Sequence, residues 1–154
     1  MQPTDQQTGN PVYRRPESVL IVVYTTVQPQ RFLLLKRCSP VGFWQSVTGT
    51  LEWGETAADC ARRELQEETG LQLKPLDTGI INRFEIMPEW RARYSPEVSE
   101  NTEYVFSLAL DQVFEPVLSP QEHLRFDWLS AESAKQRCFS HTNIEAIERI
   151  VLSA

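Results

Sequence analysis

Cysteine is scarce: Cys38, Cys60 and Cys138 are the only three in 154 residues. They make no even framework for disulfides and stand at no metal-ligand spacing, which excludes a stapled fold and fits a reducing cytoplasm. Long apolar runs are missing as well. Nothing approaches the length that spans a bilayer. The opening MQPTDQQTGN has neither a basic region nor an apolar core, so residues 1–10 read as a loose tail and not as a secretory signal. Positive charge is in deficit, 15 Lys and Arg against 21 Asp and Glu, and the net −6 argues against nonspecific nucleic-acid binding. No basic stripe with interleaved aromatics appears. Internal repeats, low-complexity runs and linkers are also absent. What is there, 41% hydrophobic and 10% aromatic residues, is enough for one globular domain over residues 11–154.

The pattern of elements is mixed. Residues 18–25 (SVLIVVYT) are β-branched and apolar throughout and read as a buried strand, and residues 31–37 (RFLLLKR) as its neighbour across the turn VQPQ. Further strands are expected at 44–48, 79–87, 103–110 and 123–129, the last alternating so that Leu124, Phe126 and Trp128 share a face. A helix is expected over 57–69 and another from about Thr142, where Ile144, Ile147, Ile150 and Val151 recur at helical spacing and Ser140, Thr142 or Asn143 supplies a cap. Strands on both sides of a helix, plus a terminal helix, suggest an α+β sandwich. Residues 87–102 (MPEWRARYSPEVSENT) break the strand pattern as a long charged connection, a lid or an ordinary solvated loop.

The densest information lies between Gly49 and Leu71, GTLEWGETAADCARRELQEETGL. Thr56 is a good N-cap, Asp59 places a carboxylate in the first turn, no Gly or Pro interrupts 57–69, and Gly70 suits a left-handed stop. On this helix Glu64, Glu67 and Glu68 are related by three and four residues, so the carboxylates project from one side. Like charges at that spacing destabilise a bare helix, and a hard divalent cation bridging to phosphates offsets them. Ala58, Ala61 and Leu65 are expected to form the stripe that packs on the domain, with the small Ala57, Cys60 and Ala61 leaving the acidic side uncrowded. Acidic pairs on a helix are ordinarily a solvated face. Here Gly49, Glu55 and Arg63 stand in register with them, Arg63 suited to pair with Glu55 or Glu67 and hold the loop to the helix.

Written as G-x5-E-x7-R-E-U-x-E-E-x-G-U, with U aliphatic, the segment fills all nine specified positions. It resembles the Nudix box of hydrolases that cleave a diphosphate linked to another moiety. Beyond the box, VYRRPESVLIVVY (12–24), FWQSVTGTLEWGET (43–56), FEI with RYSP and NTE (84–103), EHL with WL (122–129) and the Ser140 to Glu148 tail resemble the bacterial dihydroneopterin triphosphate diphosphatases of that family, also described as dATP pyrophosphohydrolases. The resemblance implies an α/β/α sandwich with a mixed sheet. It also implies Mg²⁺ or Mn²⁺ on Glu64, Glu68 and Glu122, with Glu67 or Glu122 as the base and Arg63 supporting them. Arg14, Arg37, Thr48, Phe84, Glu85, Ile86, Met87 and Ser140 would contact the substrate, and Gly49, Glu55 and Gly70 would shape the motif. Arginine offers a fork of donors to phosphate oxygens, and Phe84 a face for a planar ring. Backbone groups of 84–87 or the Glu85 side chain could pair with an amino-pyrimidine edge, although Phe84 and Glu85 alternate along their strand. The reaction so implied is water attack on phosphorus, giving pyrophosphate and a pterin monophosphate in folate biosynthesis. Two other readings stay open: a pyrophosphohydrolase of dATP or damaged nucleotides, and a ligand-binding module without catalysis. The second usually lacks box carboxylates, which this chain retains. Neither nucleic acid nor membrane is expected as a partner, and a monomer is favoured.

Overall fold

The computed structural model describes residues 13–38 and 42–153, so the expected tail over 1–10 lies outside the described residues. Its centre is β1 (Glu17–Thr25), which is apolar at consecutive positions because both of its faces are covered. Val19, Ile21 and Val23 point to one side and pack with Leu33, Leu35, Val47, Phe106 and the helix residues Cys60, Ala61 and Leu65. Leu20 and Val22 point to the other and pack with Phe32, Leu34, Trp44, Val105, Ala146 and Ile147. Complete burial of such a side chain is worth about 1.5–3 kcal/mol, so the two layers hold the sheet between helices.

The seven-stranded sheet runs β3 (Trp44–Gln45), β2 (Phe32–Arg37), β1, β6 (Glu100–Leu110), β5 (Leu76–Glu85), with β4 (Val47–Thr50) on β1 and β7 (His123–Leu129) on β2. β1 and β6 are parallel and the other pairs antiparallel, so the sheet is mixed. α1 (Ala57–Thr69) covers one face, and α2 (Ala131–Arg137) with α3 (His141–Ser153) packs on the other. This is the α+β sandwich the sequence suggested. Among the described residues no helix is long and apolar enough to cross a membrane.

The sheet opens where the site lies. β1 and β2 pair only at Tyr24 and Phe32, after which β4 takes the edge of β1 from Ser18 to Ile21 and β3 takes the edge of β2. The chain crosses this gap at Ser46. The fully buried Asn143 of α3 pins the crossing: its Oδ1 accepts from the Ser46 N–H at 2.9 Å and its Nδ2 donates to Ser46 Oγ at 2.9 Å.

Several expectations need correction. The strand expected at 44–48 is two short strands, because Ser46 bonds to α3 and not to the ladder. The strand expected at 79–87 begins at Leu76 and stops at Glu85, with a register shift beside Gly79, whose φ is +80°. The long connection is shorter than 87–102: Pro88–Arg93 forms a 3-10 helix and Glu100–Thr102 already belong to β6. α2 was not anticipated. On α1, Ala58 is exposed, and Cys60, Ala61 and Leu65 form the buried stripe. Cys60 is therefore core, with its Sγ 3.6 Å from Arg63 Nη2 at the edge of the carboxylates. Ser140 caps α3, its Oγ accepting from the Asn143 N–H at 3.4 Å. Phe126 and Trp128 pack on the face beneath α1, while the Leu124 side chain lies outside what is described.

Candidate active site

The acidic helix begins and ends as its sequence dictates. Thr56 Oγ1 accepts from the Asp59 N–H at 3.1 Å, and Gly70 closes the helix at φ +84°. Arg63 ties it to the preceding loop. Its Nε and Nη2 each lie 2.8 Å from a Glu55 oxygen, Nη2 also donates to the Thr50 carbonyl at 3.2 Å, and Nη1 reaches Glu64 at 3.0 Å and Glu67 at 3.3 Å. The bonds to Glu55 hold the Arg63 cation firmly protonated, and in return Arg63 keeps Glu55 below the usual carboxylate range. Glu55 also accepts from the Glu52 N–H at 2.9 Å, so one carboxylate fixes both the loop and the arginine.

Glu64 and Glu68 differ from Glu67. They are buried, at 7% and 2% exposure, while Glu67 is exposed. Burial pushes Glu64 up to about 7, and burial followed by the Glu64 charge raises Glu68 well above the usual range. Gly49 makes this burial possible, since a Cβ there would overlap the Glu64 carboxyl group. Facing them are Glu122 and His123 at the start of β7. Ligand atoms of Glu68, Glu122 and His123 lie within 4.8 Å of one another. Burial lowers His123 to about 4, so the ring is neutral at pH 7, and its Nε2 at 3.9 Å from Glu68 Oε1 is not an ion pair. Glu68 Oε1 and His123 Nδ1 are both buried without a hydrogen-bond partner. Buried ligand atoms without a hydrogen-bond partner, beside raised carboxylates, fit the donor set of a divalent cation. His123 was not anticipated, although EHL was noted. Its signal is a histidine adjacent to a candidate ligand at a strand's first residue.

These residues line a cavity of about 590 Å³ together with Thr48, Gly49, Thr50, Arg63 and Glu67. A second cavity of about 440 Å³ adjoins it, walled by Phe84, Glu85, Ile86, Met87, Trp90, Asn101, Glu103, Phe139 and Ser140. Arg14, Ser18, Arg37, Gln45, Thr48, Thr50 and Arg93 line both. Three arginines thus stand at the junction. Their mutual effect is visible at Arg37, whose pKa is lowered first by burial and then by Arg93 and Arg14, against the opposing pull of Glu68 and Glu122. Arg37 and Arg93 lie 6.0 and 5.7 Å from the Trp90 ring centre, cation–π distances. The Arg14 N–H donates to the Arg93 carbonyl at 2.8 Å, and Arg14 Nη1 reaches Thr50 Oγ1 at 3.5 Å. Arg93 and Trp90 come from the connection read as lid or loop.

The second cavity is less polar. Phe84 is 36% exposed along its wall, and Phe139 stacks on Phe43 with ring centres 3.8 Å apart. Phe84 and Glu85 both line it despite their alternation, because β5 ends there. Ile86 is buried and its N–H is taken by the Ser99 carbonyl at 2.9 Å. The Met87 carbonyl accepts from Trp90 N–H at 2.9 Å, so the 86–87 backbone has less to offer a ligand than expected. Thr48 Oγ1 donates to the Val19 carbonyl at 2.8 Å, and Ser140 Oγ lies 2.9 Å from Thr142 Oγ1. Asn101 and Glu103 were not anticipated as site residues. Their signal is the polar side chains of NTE, two residues apart on one face of an otherwise apolar strand.

The family model described as NUDIX domain matches residues 14–150. The chain is 42% identical over 148 residues to a dihydroneopterin triphosphate diphosphatase of Escherichia coli K12, covering 93% of this chain and 97% of that one. A protein of the same description from Haemophilus influenzae is 39% identical over 92% of this chain and 90% of its own length. The solved structure of the E. coli dihydroneopterin triphosphate pyrophosphohydrolase superposes with a TM-score of 0.84 at 41% identity, covering 93% of this chain and 99% of the other.

Proposed function

Because the chain belongs to the NUDIX domain family, and its near relatives along almost the full length are dihydroneopterin triphosphate diphosphatases, we propose that it hydrolyses dihydroneopterin triphosphate to the monophosphate and pyrophosphate. The observation that carries this reading is the pair of joined cavities: one walled by carboxylates, one half-apolar, with Arg14, Arg37 and Arg93 at their junction. A triphosphate bearing a planar ring has the same three-part character.

Glu64, Glu68, Glu122 and His123 suit a divalent metal. Their donors are carboxylate oxygens and an imidazole nitrogen, two of them buried without a partner, and Gly49 leaves room for Glu64. Mg²⁺ or Mn²⁺ held there supplies charge for the phosphate oxygens and acidity for a water. The chain's own residues do the rest. The arginines bind phosphate oxygens and hold the substrate across the junction. Arg63 keeps Glu64 and the Gly49–Glu55 loop in one arrangement. Glu67 or Glu122, exposed carboxylates of the cavity, takes the proton of the attacking water. Phe84 gives the ring a face to stack on. The enzyme acts on a small molecule, and its free cysteines fit the cytoplasm. A pyrophosphate-release assay with Mg²⁺ on dihydroneopterin triphosphate and dATP tests the reading. Higher catalytic efficiency on the pterin is expected, whereas a win for dATP would make this a nucleotide pyrophosphohydrolase by the same chemistry.

A further inference from the structure

A carboxylate stands where the half-apolar cavity needs an explanation. Glu103, in the middle of the sheet on β6, is 5% exposed yet lines this cavity. Asn82 Nδ2 donates to its Oε1 at 3.3 Å, and the Thr142 hydroxyl bonds the carboxyl group. A carboxylate has about four acceptor sites, so these two leave capacity on the cavity side. Burying a charge that is incompletely bonded is unfavourable, and a sheet strand of a stable domain has no structural reason to keep one there. A ligand that brings donors supplies one.

We infer that Glu103 is the residue that reads the heterocycle, its carboxylate accepting the two adjacent N–H donors of a 2-amino-4-oxo pyrimidine edge. In a pterin that edge presents the ring N3–H and the exocyclic amine side by side, at the spacing of two carboxylate oxygens, the same match that pairs an acidic side chain with two parallel donors elsewhere. Adenine presents one acceptor and one donor there, so an ionised carboxylate opposes its ring nitrogen. Phe84 and Phe139 supply apolar surface for the ring faces, and Glu103 lines only the half-apolar cavity while the arginines line both, which fits the end of the substrate opposite its phosphates. Glu85, also on the wall, is solvent-exposed at the strand end, where water competes for its oxygens. The inference rests on the pterin triphosphatase reading above and adds the residue that sets its substrate class.

The test is Glu103→Gln, assayed on dihydroneopterin triphosphate and dATP with Mg²⁺. The amide offers one acceptor and one donor, which mismatches the pterin edge and matches adenine. Efficiency on the pterin should fall roughly ten- to a hundredfold, mostly through KM, while efficiency on dATP holds or rises, and an unchanged melting temperature reports intact folding. Competitive inhibition by dihydroneopterin without phosphates should weaken in parallel, and inhibition by deoxyadenosine should not. Equal loss on both substrates, or no loss on the pterin, would overturn the assignment of Glu103 and leave the functional reading standing. Wild-type protein that releases pyrophosphate from neither compound would overturn both.

Discussion

The two cavities are built in different ways. The acidic one takes half of its lining residues from one continuous stretch, Thr48 to Glu68, and is closed by Gln121 to His123, the arginines, Ser18 and Gln45. The half-apolar one is assembled from residues of β1, β2, β3, β4 and β5, the 3-10 helix, β6 and the start of α3. A stretch of that length can encode chemistry in its own periodicity, because helix geometry alone brings positions 64, 67 and 68 together. A pocket gathered from eight segments has no such code. It depends on strand register and on how the terminal helix seats against the sheet. The proposed division of labour follows it: hydrolysis is assigned to the locally encoded half and recognition to the assembled half.

The sharpest way to separate the halves is Glu64→Gln or Glu68→Gln. Turnover should fall on the order of 10³-fold or more on every triphosphate, since several kcal/mol of charge stabilisation depend on these oxygens. The protein should stay folded, because a neutral amide removes a buried, raised carboxyl group, and steady-state kinetics with a melting curve checks both. Gly49→Ala comes next. The new methyl overlaps Glu64 and displaces it, which should cost about 100-fold in turnover and about 1–3 kcal/mol of stability, read from the same two measurements. Near-normal activity would show that the close approach is unimportant.

Arg93→Ala probes the junction. It removes a charged donor common to both cavities, so efficiency should fall roughly ten- to a hundredfold by the same factor for pterin and adenine substrates. A substrate-dependent loss would move Arg93 into the recognition half. Asn143→Ala leaves the Ser46 N–H unpaired in the core and should cost about 1–3 kcal/mol, about 2–4 °C of Tm for each kcal/mol at this chain length.

The smallest effect is on pH. Burial raises Glu103 above its usual 4.5. The folded state therefore holds that proton more tightly than the unfolded chain. The stabilisation is complete below the unfolded value and is lost as pH rises through the folded one. Metal-free wild type should lose a little Tm over that rise that Glu103→Gln does not, and identical thermal profiles would contradict the assigned burial.

How much was legible follows the same line. Thr56, Gly70 and the 57–69 helix were readable because caps and breakers act within a few residues. Glu64 and Glu68 were readable as a pair, but not their burial, which for Glu64 is packing against Gly49. Helical spacing suggested Ala58 for the buried stripe, yet the seat of α1 on the sheet chose Cys60. His123 and Arg93 were missed for a related reason: one becomes a candidate ligand only when β7 lies beside α1, the other only when the 3-10 helix turns it toward Arg37.

By itself the chain determined its class of chemistry, its acidic helix and the apolar strand at its centre, because helix and strand periods are local and short-ranged. Only the tertiary structure decided which carboxylates are buried, where three arginines meet, and that Glu103 opens onto a cavity. Those depend on register and layer packing between segments far apart in sequence, where no local period can act.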